Sequence, residues 1–187
     1  LFLGKNETQK VETDESFNKV KTAGVFVLGL DDSFPPMGFR DKENNIIGFD
    51  IDLAKEVCAR LGIELKTQPI SWDAKEQELN TGKIDCIWNG MSVDSARAKA
   101  MNLSDPYLKN RMIFTVKDKA LANLESLKGK KIAVQNGSTA QKLLDASEAG
   151  KAAKEIVPFD DNQTALMDLE KGGVDAVFLD EIVAKYW

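Results

Sequence analysis

The chain has no histidine, and only two cysteines and five prolines in 187 residues. Without histidine there is no imidazole to activate a nucleophile or to ligate a metal, which removes most hydrolase and zinc readings. Cys58 and Cys86 are too few for a disulfide scaffold and lack metal-like spacing. Both sit in apolar runs and are expected as buried thiols rather than as a disulfide. Positive charge is in deficit, with 25 Lys and Arg against 30 Asp and Glu and a formal net charge of -5. Such a chain offers no basic field for phosphates, so nucleic acid is excluded as an expected partner. No apolar run approaches the length that spans a bilayer. The chain opens on Leu1, from which an upstream piece removed by processing is expected. What remains, 43% hydrophobic and 29% charged, is the composition of a globular protein with a real core, in one domain or two small ones.

Residues 1–15 are polar and unpatterned and read as a flexible leader, the stretch 1–23 taking in the start of a first helix. Beyond it, short apolar runs alternate with helical periods. Strands are expected at 25–28, 46–49, 63–66, 84–89, 131–134, 155–159 and 174–179. Asp50 or Asp52 can cap a helix whose apolar face is Ile51, Leu53, Ala54, Val57, Cys58 and Leu61, stopped at Gly62. Further helices are expected at 73–80, 139–146, 162–170 and from Glu181. Pro106 interrupts the pattern, and a fresh extended run begins at Met112. This alternation predicts an α/β fold with parallel-rich sheets, and the break near 105–111 predicts two sheets.

One device is written twice. Leu79-Asn80-Thr81-Gly82-Lys83-Ile84-Asp85 and Leu169-Glu170-Lys171-Gly172-Gly173-Val174-Asp175 share the form Leu-x-x-Gly-x-x-Asp, each before an apolar run. By itself the repeat is general α/β grammar, a helix ending on glycine and feeding a central strand. Ligands in open α/β sheets sit beyond the carboxyl ends of strands, so Asn89-Gly90-Met91-Ser92 and Asp180-Glu181 become the places to look. Asp85 and Asp175 precede their strands and are assigned to structure.

An ordered set of motifs carries a family resemblance from about Val25 to Tyr186. They are Gly29-Leu30-Asp31-Asp32-Ser33-Phe34-Pro35-Pro36 with Phe39, Gly48-Phe49-Asp50-Ile51-Asp52-Leu53-Ala54, Trp72-Asp73, and Gly82-Lys83-Ile84-Asp85. Gly90-Met91-Ser92 with Arg97, Ser104-Asp105-Pro106-Tyr107, Leu127-Lys128-Gly129-Lys130-Lys131, Gln135-Asn136-Gly137-Ser138-Thr139, and Asp175-Ala176 through Asp180-Glu181 complete the order. The chain resembles the type II periplasmic solute-binding proteins of ABC importers, in the branch that binds polar amino acids (bacterial extracellular solute-binding protein family 3). The resemblance implies a two-lobed α/β fold, with lobe 1 over 24–108, lobe 2 over 109–187 and a hinge near 108–111. It also implies elements beyond the helix at Glu181, so the chain is expected to lack the C-terminal part of the fold and to bind weakly by itself.

Carried over to these positions, Arg97 would grip a ligand α-carboxylate, since an Arg fork fixes a carboxylate's orientation as well as its position. Ser138, Thr139 and nearby backbone N–H groups would hold it from lobe 2 at a helix start. Asp180, Ser92 and the Gly90 carbonyl would take the α-ammonium, and Phe34 and Trp72 would sandwich the side chain. Asp31, Asn89, Met91 and Gln135 fall where side-chain preference is set. Asp31 favours a ligand with donors, so glutamine, arginine, lysine, histidine or cystine rank above glutamate. Residue by residue, Arg97 could equally be a solvated helix charge, Asp180 a helix cap, and Phe34 and Trp72 core aromatics. Asp94 and Met37 depart from the family pattern, standing where a hydroxyl residue and an aromatic are common.

The implied protein is a monomer outside the cytoplasm, in the periplasm or tethered to the cell surface as a lipoprotein. Its partners would be a free polar amino acid and the membrane permease of an ABC importer. No cofactor, metal or catalytic residue is implied. Two alternatives stand on the same scaffold. One is a dehydratase-like enzyme acting on prephenate or arogenate, for which Asp31 and Asp180 are the acid candidates. The other is a ligand-sensing receptor domain.

Overall fold

The structure is a computed structural model that describes residues 15–187. The expected leader over 1–15 lies, but for Glu15, outside the described residues. Helix α1 (Ser16–Ala23) ends on left-handed Gly24, which turns the chain into β1 (Val25–Leu30). A small antiparallel sheet follows, β2 (Ser33–Phe34), β3 (Gly38–Arg40) and β4 (Ile46–Ile47). Then come α2 (Phe49–Leu61), β5 (Glu64–Pro69), a 3-10 turn over Trp72–Ala74, α3 (Lys75–Asn80) and β6 (Cys86–Ile87). Strand β1 lies between β5 and β6, parallel to both.

After α4 (Arg97–Ala100) the chain runs to β7 (Met112–Val116), β8 (Lys131–Gln135), α5 (Thr139–Ala146) and α6 (Glu148–Ala152). Strand β9 (Glu155–Phe159), α7 (Asn162–Lys171), β10 (Ala176–Asp180) and α8 (Glu181–Tyr186) complete it. These strands form a second sheet in the order β7-β10-β8-β9, parallel except that β7 runs against β10. The expected two parallel-rich sheets flanked by helices are therefore present.

Each sheet has its own core. Leu28, Leu30, Ile51 and Ala54 cluster on the first, and Leu127, Ile132, Val134, Ala140, Leu144 and Ala176 on one face of the second. A third cluster joins the two halves, because Phe34 and Met37 pack with Ala133, Ala165, Leu166 and Val177. Phe34 has a loop-like sequence context, yet it lies in β2 and is buried at 6% exposure.

Three expectations need correction. Neither Asp50 nor Asp52 caps α2; the cap residue is Gly48, with no side-chain bond. The free N–H groups of Phe49 and Asp50 instead donate to the Pro36 and Met37 carbonyls at 2.9 Å. This close approach requires glycine at 48, since a Cβ there would lie 2.3 Å from the Met37 oxygen. The strand expected over 84–89 pairs only at Cys86 and Ile87, because its one described neighbour, β1, meets it only there. Helix α3 begins two residues later than expected, the first turn being 3-10. Both cysteines are free, and burial pushes the Cys86 thiol up to about 11, which keeps it protonated and unreactive.

Candidate functional site

The facing turns of the two sheets bring together most of the residues singled out from the sequence. Arg97 opens α4 and is 6% exposed, so it is no solvated helix charge. Its Nη1 donates to the Ser92 carbonyl at 2.7 Å and, across to the second sheet, to the Thr139 hydroxyl at 2.9 Å. Asp94 accepts the backbone N–H of Arg97 and lies 3.9 Å from its Nε. This carboxylate, standing where a hydroxyl is common, therefore serves to seat the arginine. Burial pulls the guanidinium below its ordinary value, and Asp94, Glu76 and Asp180 oppose that pull. The Nη2 group makes no hydrogen bond among the described residues, so the Arg fork keeps donors to spare.

Thr139 stands at the first position of α5, and Ser138 is its N-cap. The Ser138 hydroxyl accepts the Gln141 N–H at 3.1 Å, so its oxygen is used in capping. Trp72 is buried at 7% beneath the Lys75 ammonium, 5.1 Å from its ring centroid.

Asp180 ends β10, 8% exposed, and makes no cap bond to α8. It stands at the N-cap position of α8, but its side chain is not spent on capping. Asp180 accepts instead from the Asn110 amide, a residue of the crossing segment between the sheets. Burial raises its pKa, while Asn110 and the Arg97 charge hold it down. Arg97 and Asp180 thus feel each other across the cleft, a cation and an anion that the two ends of a small zwitterion would satisfy. Gly90, Met91 and Ser92, with Asp180 and Asn110, line a cavity of about 530 Å³ that continues along the free edge of β6 past Trp88 and Tyr107.

A third group lies at the carboxyl ends of β1 and β8. Asp31 is buried at 6% and accepts from the Ser33 hydroxyl at 2.6 Å and N–H at 2.9 Å. From the second sheet, Gln135 Nε2 donates to its other oxygen at 2.7 Å. Gln135 is oriented in turn by Asn162, whose Nδ2 donates to its Oε1 at 3.1 Å, and by the Asp160 carbonyl. Burial pushes the Asp31 carboxyl above its ordinary value, and Asp161 adds to this. Asn89 is placed differently from its expected role. It is 2% exposed, its Oδ1 accepts the Asp31 N–H at 3.0 Å, and its Nδ2 is enclosed without a partner. It ties β6 to β1 within the first sheet.

Lys75, Asn110 and Asn162 contact the candidate residues Trp72, Asp180 and Gln135, and the sequence reading missed all three. Lys75 looks like any helix charge, and Asn110 and Asn162 act only through partners 70 and 27 residues away. No local pattern signals such contacts.

Two α/β halves that aim strand ends at one polar cleft, bridged by a buried arginine, define a two-lobed binding fold of the type II periplasmic class. The chain belongs to the bacterial extracellular solute-binding proteins, family 3, matching them over residues 26–185. It is 29% identical over 170 residues to the L-cystine-binding protein TcyJ of Escherichia coli (strain K12), covering 89% of this chain and 63% of that protein. Against ABC transporter arginine-binding protein 1 of the same strain it is 31% identical, with 86% and 65% covered. The chain thus spans a little under two thirds of the length of these curated relatives. Among solved structures, a substrate-binding protein of an ABC uptake transporter from Streptococcus pneumoniae with bound histidine superposes with a TM-score of 0.86 at 33% identity. That match covers 92% of this chain and 72% of the other. The holo arginine-binding protein ArgBP from T. maritima gives 0.83 at 37% identity, with 90% and 74% covered. The family is one of solute-binding proteins.

Proposed function

We propose that the whole protein captures one polar amino acid between lobe 1 (24–108) and lobe 2 (109–187) outside the cytoplasm. It then delivers that amino acid to the permease of an ABC importer. The observation that carries this reading is Arg97, buried, bridging Ser92 and Thr139, with Nη2 donors unspent and the Asp180 carboxylate within electrostatic reach. A free amino acid presents the complementary pair, a carboxylate for Arg97 and an ammonium for Asp180. Asp31 and Gln135 at the far end favour a side chain that donates, amide or cationic, over an acidic one. The names of the relatives, which bind cystine, arginine and histidine, support the same class. Binding makes and breaks no covalent bond; the two raised carboxyls, Asp31 and Asp180, serve here as acceptors rather than as general acids.

A thermal-shift panel of the twenty amino acids plus cystine tests the reading, because a ligand bound only to the native state raises its melting temperature. At least one polar amino acid should raise it, and Arg97→Ala should abolish the response. A flat panel would sink the proposal, as would turnover of prephenate or arogenate.

A further inference from the structure

Lys75 is 4% exposed, a burial rarely seen for lysine. Its ammonium donates to two backbone carbonyls, Trp72 at 3.0 Å in its own lobe and Gly137 at 2.9 Å in the other. Gly137 sits in the turn between β8 and α5 with φ +66, and a Cβ added there would come 2.7 Å from the Asp73 Cα and 3.0 Å from its Cβ. Two turns of opposite lobes therefore meet backbone to backbone, with no side chain between them. Beside this contact Asn136 Nδ2 donates to Asp73 Oδ2 at 3.2 Å. The Gly137 peptide is held in place by its own N–H, which donates to Gln141 Oε1 at 2.8 Å.

We propose that Lys75 and Asp73 of lobe 1 and Asn136 and Gly137 of lobe 2 form a clasp that holds the lobes shut and sets how fast a captured ligand escapes. The residence-time part rests on the amino-acid reading above; the clasp itself does not. Opening the lobes would strip the ammonium of its Gly137 partner and separate surfaces packed to backbone contact. A hydrogen bond from a charged group is worth more than a neutral one, so the Lys75 bond dominates the clasp. Burial lowers the pKa of this ammonium and the Arg97 charge adds to that, while Glu76, Asp73 and Asp94 hold it up. Ligand and clasp both favour the closed lobes, so each would strengthen the other, and by linkage by the same factor.

The test uses the whole protein with Lys75→Met, which keeps the length of the side chain and its packing on Trp72 while removing the donors. L-arginine is the probe, followed by stopped-flow tryptophan fluorescence. Dissociation should speed up about tenfold with association within about twofold, as expected when a contact formed only after closure is lost. Gly137→Ala should act in the same direction, and the double variant should lose less than the product of the singles, because both break one contact. Unchanged dissociation in both variants overturns the clasp, as does an effect confined to association, which would make Lys75 a steering charge. Should L-arginine give no signal with the unaltered protein, spin labels on the two lobes decide instead. A short-distance population that Lys75→Met depletes supports the clasp, and identical distributions overturn it. If Lys75→Met does not fold, Gly137→Ala carries both measurements.

Discussion

Leu79 to Asp85 in lobe 1 and Leu169 to Asp175 in lobe 2 share their backbone bonding up to their aspartates. Gly82 and Gly172 are both left-handed, at φ 72 and 81, and each donates its N–H at 3.1 Å to the carbonyl of the leucine that opens the motif. The Asp85 N–H donates to the Val27 carbonyl while its Oδ2 accepts the Val27 N–H, both at 2.8 Å. Asp175 does the same to Lys131, at 2.9 and 2.8 Å. Each aspartate thus grips both polar groups of one residue on the neighbouring strand and sets the register of its own strand. Beyond the aspartates the two differ. Strand β10 is paired over five residues with β7 on one side and joined to β8 on the other, whereas among the described residues β6 pairs only with β1, through two residues. The local device aims a strand; the neighbours decide how firmly it is held. The firmly held one delivers Asp180, and the lightly held one delivers the Asn89–Ser92 turn along the cavity.

The largest effect should come from the end of the firm strand. Asp180→Ala removes a buried acceptor that the proposed ammonium needs, and should weaken amino-acid binding at least about thirtyfold, or about 2 kcal/mol. Calorimetric titration checks this. Met91→Ala, at the end of the light strand, should cost about threefold or less, since a side chain on the cavity wall loses only packing. Equal losses would remove the functional half of the comparison.

Stability should follow the same order. Leu179 in β10 is fully buried, and Leu179→Ala should cost about 3 kcal/mol in denaturant unfolding. Ile87 in β6 is only partly buried, and Ile87→Ala should cost about 1 kcal/mol. A larger loss at Ile87 would show that the edge strand is held by more than its two-residue ladder. The aspartates come next. Asp175→Ala should cost about 2 kcal/mol and Asp85→Ala about 1 kcal/mol, because the Asp175 bond to Lys131 is part-buried whereas the Asp85 bond to Val27 is exposed.

These contrasts mark how much was legible in the sequence. Helix α5 and strand β9 fall where they are expected, at 139–146 and 155–159, because Ser138 caps the first and the second pairs with β8 along its whole length. The paired length of β6 was not legible, since it depends on where its neighbour runs. Nor was the α2 cap, where two backbone carbonyls displace the expected side chain of Asp50. That frees Asp50 to accept the Tyr107 hydroxyl at 2.8 Å, a contact no local signal announces. Within the candidate site, Arg97, Thr139, Asp31, Gln135 and Asp180 were singled out through the order of family motifs. Their partners Asn110 and Asn162 were not, nor was Lys75 beside them, because each bonds to a group that only the folded chain brings near.

The smallest effect tests the likeness rather than the difference. Gly82 and Gly172 each adopt a left-handed conformation with open space where a Cβ would go, so substitution meets backbone strain and no clash. Gly82→Ala and Gly172→Ala should therefore each cost about 1 kcal/mol, and by nearly the same amount, despite the unequal support of the strands they feed. Paired urea titrations resolve this, since a change in midpoint at constant slope reports stability alone. A loss at Gly172 well above that at Gly82 would mean that the strain spreads into β10, and that the turn and its strand act as one unit. Matched losses beside unequal aspartate losses would place the divergence at Asp85 and Asp175, where the shared device hands each strand to its neighbours.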